Sequence, residues 1–190
     1  AVAIKGDTSL KLKKYADKVY WLGLDEFSSM FKIFKEEGIT KIVMAGQISP
    51  RRLFSKEVLK DEELKGILSS LKDKRADTIF STIAQKLKES GVELLDSTIF
   101  IKEHLPGKGV LTGEGPGAEV WEDIHFGLEL AKAIAGLDIG QTVAVKSKAI
   151  VAVEALEGTD NLIRRAGRIT RQGGVTIIKV SKPKQDMRFD

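Results

Sequence analysis

Along the first hundred residues, short apolar runs alternate with apolar positions at helical spacing. Ala1-Val2-Ala3-Ile4 is a short apolar run ahead of Gly6-Asp7. Phe27, Met30, Phe31 and Phe34 fall on one face of a helix that Asp25 is placed to cap and Gly38 to end. Ile42-Val43-Met44-Ala45 reads as a buried strand closed by Gly46-Gln47. Ile79, Ile83 and Leu87 make a second helical stripe, with Asp77 as cap and Gly91 as stop, and a strand follows over Val92–Leu95. Helices feeding apolar strands predict part of a parallel, Rossmann-like sheet.

The pattern breaks over His104–Gly117, which holds two prolines and is rich in glycine. Beyond it, Ile124, Leu128, Ala131 and Ile134 mark a helix over about Glu119–Ala135, with Glu119, Glu122 and Asp123 favouring its N-terminus through the helix dipole. Thr142–Val145 and Ala149–Val153 read as a hairpin turning at Ser147-Lys148. Thr159 or Asp160 can cap a short helix carrying Leu162, Ile163 and Ala166, and Val175–Val180 is a last strand. The expected architecture is α/β: an N-terminal Rossmann-like parallel-sheet domain over 1–103, a linker over 104–118, and a smaller C-terminal α/β domain over 119–190.

Composition adds little to this picture until charge is placed on it. A chain of 190 residues with 42% hydrophobic and 31% charged residues is globular in type. No apolar run is long enough to cross a bilayer and no signal-peptide pattern opens the chain. The absence of cysteine excludes disulfides and thiolate zinc sites and agrees with a cytosolic protein. The net charge is +4, but from Asn161 onward eight basic residues face only two acidic ones. Such a local excess suits a phosphate ligand or an anionic membrane surface.

Two segments could use that charge. Glu154-Ala155-Leu156-Glu157-Gly158-Thr159-Asp160 lies where an apolar strand gives way to a helix. Backbone N–H groups at a helix start attract phosphate, and Gly158 lets a ligand approach the backbone. Glu154, Glu157 and Asp160 could hold a hard cation, and Arg164 and Arg165 could clamp phosphates. A capped helix with solvated charges explains the same residues. The second segment runs from Lys179 through Lys182, Lys184, Gln185, Asp186 and Arg188 to Asp190. Lysines at a strand end can bind phosphate and the aspartates can ligate metal or orient water, or the segment is a charged surface loop. Between helix and strand, Asp138 and Gln141 form a tight turn that is either structural or part of the same site. No G-x-G-x-x-G, Walker A or Nudix-type box is present, and His104 and His125 are too few for a histidine-rich dinuclear centre. The tail lacks aromatic interleaving apart from Phe189, which argues against nucleic acid as a partner.

Taken in order, "VLTGEGP" (Val110–Pro116), "EDI" (Glu122–Ile124), "GLDIGQ" (Gly136–Gln141), "VEALEGTDNLIRR" (Val153–Arg165) and "IKVSKPKQDMRFD" (Ile178–Asp190) resemble the successive signatures of the LpxI-type UDP-2,3-diacylglucosamine pyrophosphatases of lipid A biosynthesis. "KIVMAGQISP" (Lys41–Pro50) extends the resemblance more loosely into the first half. It implies Mg²⁺-assisted hydrolysis of UDP-2,3-diacylglucosamine to UMP and 2,3-diacylglucosamine 1-phosphate, in a homodimer peripheral to the cytoplasmic face of the inner membrane. Asp190, Asp160 and Glu157 are then the expected catalytic and metal residues. Gly158, Thr159, Arg164, Arg165, Lys179, Lys182, Gln185, Arg188 and Gln141 are the expected substrate contacts. A UDP-sugar or lipid-phosphate binding module without catalysis is the alternative. In the family a strand and a glycine-rich turn precede the position of Ala1, and further residues follow that of Asp190, so both family ends are expected outside this sequence.

Overall fold

A computed structural model describes residues 1–46, 48, 52, 55–73, 75–183, 186 and 188, with residues 76 and 77 described by their backbone alone. It divides into two compact units: Ala1–Glu103 together with the described residues Asp186 and Arg188, and His104–Gln185. Both are mixed α/β.

In the first unit all described strand pairing is parallel. β1 (Val2–Ile4) pairs with β2 (Tyr20–Leu22), Ala3 standing opposite Trp21. β3 (Lys41–Ile42) pairs with β4 (Glu93–Leu94). Three helices connect them: α1 (Ser29–Glu36), α2 (Glu62–Ser70) and α3 (Ala76–Glu89). The expected strand over 42–45 is shorter than its apolar run. Only Ile42 of that run pairs with a neighbour, and Val43 and Met44 are half-buried. The capping expectations also shift by a few residues. Asp25 lies inside a 3₁₀ turn (Leu24–Glu26), and Ser28 is the residue that precedes α1. Asp77 lies within α3, whose N-cap is Arg75.

The acid that organises this unit is one the hydrophobic pattern does not mark. Asp61 is 4% exposed. Its Oδ1 accepts from the Leu64 N–H at 2.9 Å, capping α2. Its Oδ2 accepts from both the N–H and the hydroxyl of Ser28, each at 2.8 Å. One carboxylate therefore ties the starts of α1 and α2 together above the core of Phe34, Leu64, Ile67 and Leu87.

The second unit is a three-stranded antiparallel sheet between two helices. Its elements are α4 (Ala118–Gly136), β5 (Thr142–Lys146), β6 (Ala149–Val153), α5 (Thr159–Thr170) and β7 (Thr176–Lys179), with β5 central in the order β6-β5-β7. Val143, Val145 and Ile178 face α4, and Ala144 and Ala152 face α5. Burial on both faces explains the continuous apolar reading of β5. On α4 the buried stripe is Asp123, Gly127, Ala131 and Ala135. It is turned from the expected stripe, of which Leu128 and Ile134 pack at the margin. Small residues let the helix lie close to the sheet. A Cβ on Gly127 would sit 2.6 Å from Ile178 Cδ1 and 2.7 Å from Val145 Cγ2.

β5 and β6 form the expected hairpin, with Lys146 opposite Ala149 and a two-residue turn between them. Both turn residues have positive φ, 48° at Ser147 and 58° at Lys148. That is the type I′ pattern, which normally calls for Asn-Gly. Here the Asp123 carboxylate holds it, accepting from the Ser147 N–H at 3.1 Å and the Lys148 N–H at 2.6 Å.

Asp123→Ala should cost about 1–2 kcal/mol, since both N–H groups lose their acceptor at an exposed turn, read as a lower urea midpoint. Ser147→Asn with Lys148→Gly, which suits the turn without outside help, should recover most of that loss. At Asp61, burial pushes the carboxyl up, but the Ser28 and Leu64 donors outweigh it and hold it below the ordinary range. A depressed folded value contributes stability above the unfolded pKa and loses it as pH falls through the folded one. The urea-midpoint gap between wild type and Asp61→Asn should therefore be full above about pH 5 and be lost progressively as pH falls through and below the ordinary carboxylate range.

Candidate functional site

In the second unit, the start of β5, the ends of β6 and β7 and the start of α5 meet at one end of the sheet. Glu154, the first residue after β6, is 8% exposed. Its Oε1 accepts from the Thr159 hydroxyl at 2.9 Å and its Oε2 from the Gln141 N–H at 3.3 Å. Thr159 Oγ1 lies 3.3 Å from Thr142 Oγ1 and accepts from Lys179 Nζ at 3.0 Å. Glu154 thus does not stand open for a cation. It fixes the loop before β5 and the first residue of α5, and through Thr159 it places the Lys179 ammonium.

The loop ahead of β5 is built for this closeness. α4 ends on Asp138 at φ 58°, with the N–H of Asp138 reaching Ala135 O and that of Ile139 reaching Ile134 O. This left-handed helix stop is commonly glycine, and aspartate tolerates it. The Asp138 carboxylate pairs with Lys182 at 2.6 Å, both side chains largely buried. Gly140 follows, where an added Cβ would lie 2.1 Å from the Glu154 carbonyl oxygen. The "DIGQ" turn is therefore structural, and it packs directly against Glu154.

α5 is preceded by Gly158 at φ 83°, not capped by Thr159 or Asp160, and no side-chain cap is made to its first turn among the described residues. Lys179 Nζ is bonded to the first residue of this helix, so an ammonium stands at a helix N-terminus, an arrangement that attracts an anion. Lys179 has no acidic partner among the described residues.

The other expected residues are distributed around this end. Glu157 is paired with Arg165 at 2.6 Å and accepts from the Ala155 N–H. Burial raises its carboxyl, but the Arg165 guanidinium and the backbone donor outweigh that and hold it below the ordinary range. Arg165 also donates to Val153 O. Asp160 is exposed in the first turn of α5, and Arg164, also exposed, donates to Asn161 Oδ1. Gln141 takes part through its backbone, also accepting from the Val180 N–H. Arg188 groups with the first unit and makes a bidentate pair with Asp186. Asp190 and Gln185 lie outside the described residues.

For a resident Mg²⁺, the described residues fall short. Among them no group of three or more acidic, histidine or cysteine side chains converges. Glu157 is committed to Arg165, and Glu154 to Thr159 and Gln141. What the described site offers is cationic and N–H donors for a phosphate.

Gly140→Ala should lower stability by about 1–3 kcal/mol, the cost of forcing backbone apart in a packed region. It should also broaden or shift the Gln141 and Thr159 amide resonances in a ¹H–¹⁵N spectrum.

Two family models meet in this chain. The LpxI N-terminal domain matches residues 1–104 and the LpxI C-terminal domain residues 107–190. Over 180 residues the chain is 32% identical to the UDP-2,3-diacylglucosamine pyrophosphatase LpxI of Caulobacter vibrioides, covering 89% of this chain and 63% of that protein's length. Of the signature segments, "GLDIGQ", the start of "VEALEGTDNLIRR" and Lys179 meet at the sheet end built around Glu154 and Thr159, and the chain belongs to the LpxI family.

Proposed function

We propose that this protein hydrolyses the pyrophosphate bond of UDP-2,3-diacylglucosamine to give UMP and 2,3-diacylglucosamine 1-phosphate. The observation that carries the reading is the Lys179 ammonium, held by Thr159 beside the uncapped N-terminus of α5. The LpxI relative of Caulobacter vibrioides bears this activity in its name.

In the proposed reaction, water adds to one phosphorus, the bridging P–O bond breaks, and two phosphate monoesters leave. Negative charge grows on the non-bridging and leaving oxygens. Stabilising it is the main task of such sites. Lys179 and the α5 N–H groups meet that charge at close range. Exposed Arg164 adds a mobile cation one turn along the helix, and Arg165, fixed by Glu157, contributes positive field. Lys182 acts by locking the Asp138 turn that presents Gln141. Water activation falls to Asp190, with Asp160 as the nearest described carboxylate free to turn toward the ligand. The roles of Asp190, Gln185 and Arg188 rest on the family's sequence motif.

Mg²⁺ dependence, homodimer formation and attachment to the cytoplasmic face of the inner membrane belong to the same proposal and rest on family likeness. No helix among the described residues is long and apolar enough to cross a membrane. A Rossmann-like first unit also belongs here. Its support is the parallel pairing of β1 with β2 and of β3 with β4, the second pair joined through α2 and α3.

The test is UMP release from UDP-2,3-diacylglucosamine with Mg²⁺. Lys179→Ala should lower kcat/KM by about 10²-fold, the scale for losing one donor at developing charge. Asp190→Asn should abolish turnover, and EDTA should do the same to wild type. Binding that is indifferent to EDTA, with no UMP formed, would mean a binding module instead.

A further inference from the structure

In the first unit β1 and β2 run parallel, and their carboxyl ends lie side by side, Ile4 opposite Leu22. Gly23 follows β2 directly, and Gly6 follows β1 after Lys5. Beyond these ends opens a pocket of about 390 Å³, lined by Lys5, Gly6, Gly23, Asp25, Arg52 and Glu57, all of the first unit. The crevice outside the carboxyl ends of parallel strands is where open α/β sheets bind ligands, and the volume is that of a small-molecule site.

Each glycine makes room for a charged group. A Cβ on Gly6, at φ 89°, would lie 3.1 Å from Arg52 Nη1, and one on Gly23 would lie 2.2 Å from Asp25 Oδ1. The Arg52 guanidinium is fixed by the Asp7 carboxylate at 2.7 Å, the Glu57 carboxylate at 2.6 Å and the Lys5 carbonyl. The Asp25 carboxylate is folded back over the end of β2. Its neighbour Glu26 accepts from the Gly23 N–H and from Lys5. Asp25 itself makes no hydrogen bond or ion pair among the described residues.

Charge selects the occupant. Lys5 and Arg52, the two cations of the lining, are both paired already. With Asp7, Asp25, Glu26 and Glu57 around them, four acids stand against two bases. That excess repels a phosphate. A neutral ligand fits instead, one that donates two hydrogen bonds to a single carboxylate, because each Asp25 oxygen can accept from one hydroxyl.

We infer that this pocket binds a vicinal diol, held by Asp25, and that the diol is the ribose of a nucleoside. The choice of ribose among diols rests on the proposed substrate, which carries a uridine. The pocket and its charge do not depend on it.

Uridine and 2′-deoxyuridine are titrated into the full chain and followed at the Gly6 and Gly23 amides in ¹H–¹⁵N spectra. Uridine should shift both saturably, with a Kd at least about tenfold below that of 2′-deoxyuridine, the scale for a hydrogen bond to a charged group. Asp25→Ala, at an exposed position, should keep the wild-type urea midpoint and raise the uridine Kd to the deoxyuridine value. Inorganic phosphate should leave both amides in place. Equal Kd values for the two nucleosides in wild type overturn the inference, as does a preference that survives in Asp25→Ala. So do uridine shifts at Gln141 and Thr159 in place of the two glycines, or phosphate shifts at the glycines. A ribose preference that stands while UDP-2,3-diacylglucosamine is not hydrolysed overturns the proposed function and leaves the pocket. Hydrolysis without any uridine shift at Gly6 and Gly23 does the reverse.

Discussion

A carboxylate removed from water must find donors, and the second unit is arranged around one that does. Glu154 is satisfied by a backbone N–H from the loop before β5 and by a hydroxyl from the first residue of α5. Leaving a buried acid unpaired costs more than most single contacts return. The three segments that meet at Glu154 are thereby held together whatever else binds there. Gly140 exists to permit the approach, and Thr159 relays the position to Lys179. The site is rigid where it is built on strand ends and the helix start, and its exposed cations are on the outer side of α5.

The first unit uses the same device. Asp61 joins two helix starts, taking three donors with two oxygens. In both units the organising acid lies outside the apolar periodicity and contacts a residue distant in sequence. The charged groups at the surface do less. Lys5–Glu26 and Lys65–Glu62 are exposed pairs of the kind that add little in water.

Much of the fold could be read from the residues. The second unit's strands and helices follow apolar runs and stripes, because burial on a sheet face or helix face leaves a period in the sequence. The strand over 42–45 was less legible, since an apolar run reports burial and not pairing. Caps were misplaced at Asp25, Asp77 and Thr159 for a local reason. A 3₁₀ turn ahead of α1 moves its cap three residues past Asp25, a glycine at positive φ moves that of α5 to one residue before Thr159, and the cap of α3, Arg75, lies two residues before Asp77. In the site, Gly158, Thr159, Lys179 and Gln141 were legible as a motif and converge. The roles of Glu154 and Asp123 were not, because an acid that binds a cation and one that anchors a loop look alike until their partners are known.

The hairpin turn at Ser147 and Lys148 has a kinetic meaning. Hairpins with a self-sufficient turn close in microseconds as independent units. This one places two residues in a backbone region that non-glycine residues disfavour, and the carboxylate that compensates lies on α4, more than twenty positions earlier in the chain. Helix docking and hairpin closure are therefore coupled: the turn that carries the central strand into its neighbour reaches its native form with an acceptor that only docked α4 supplies.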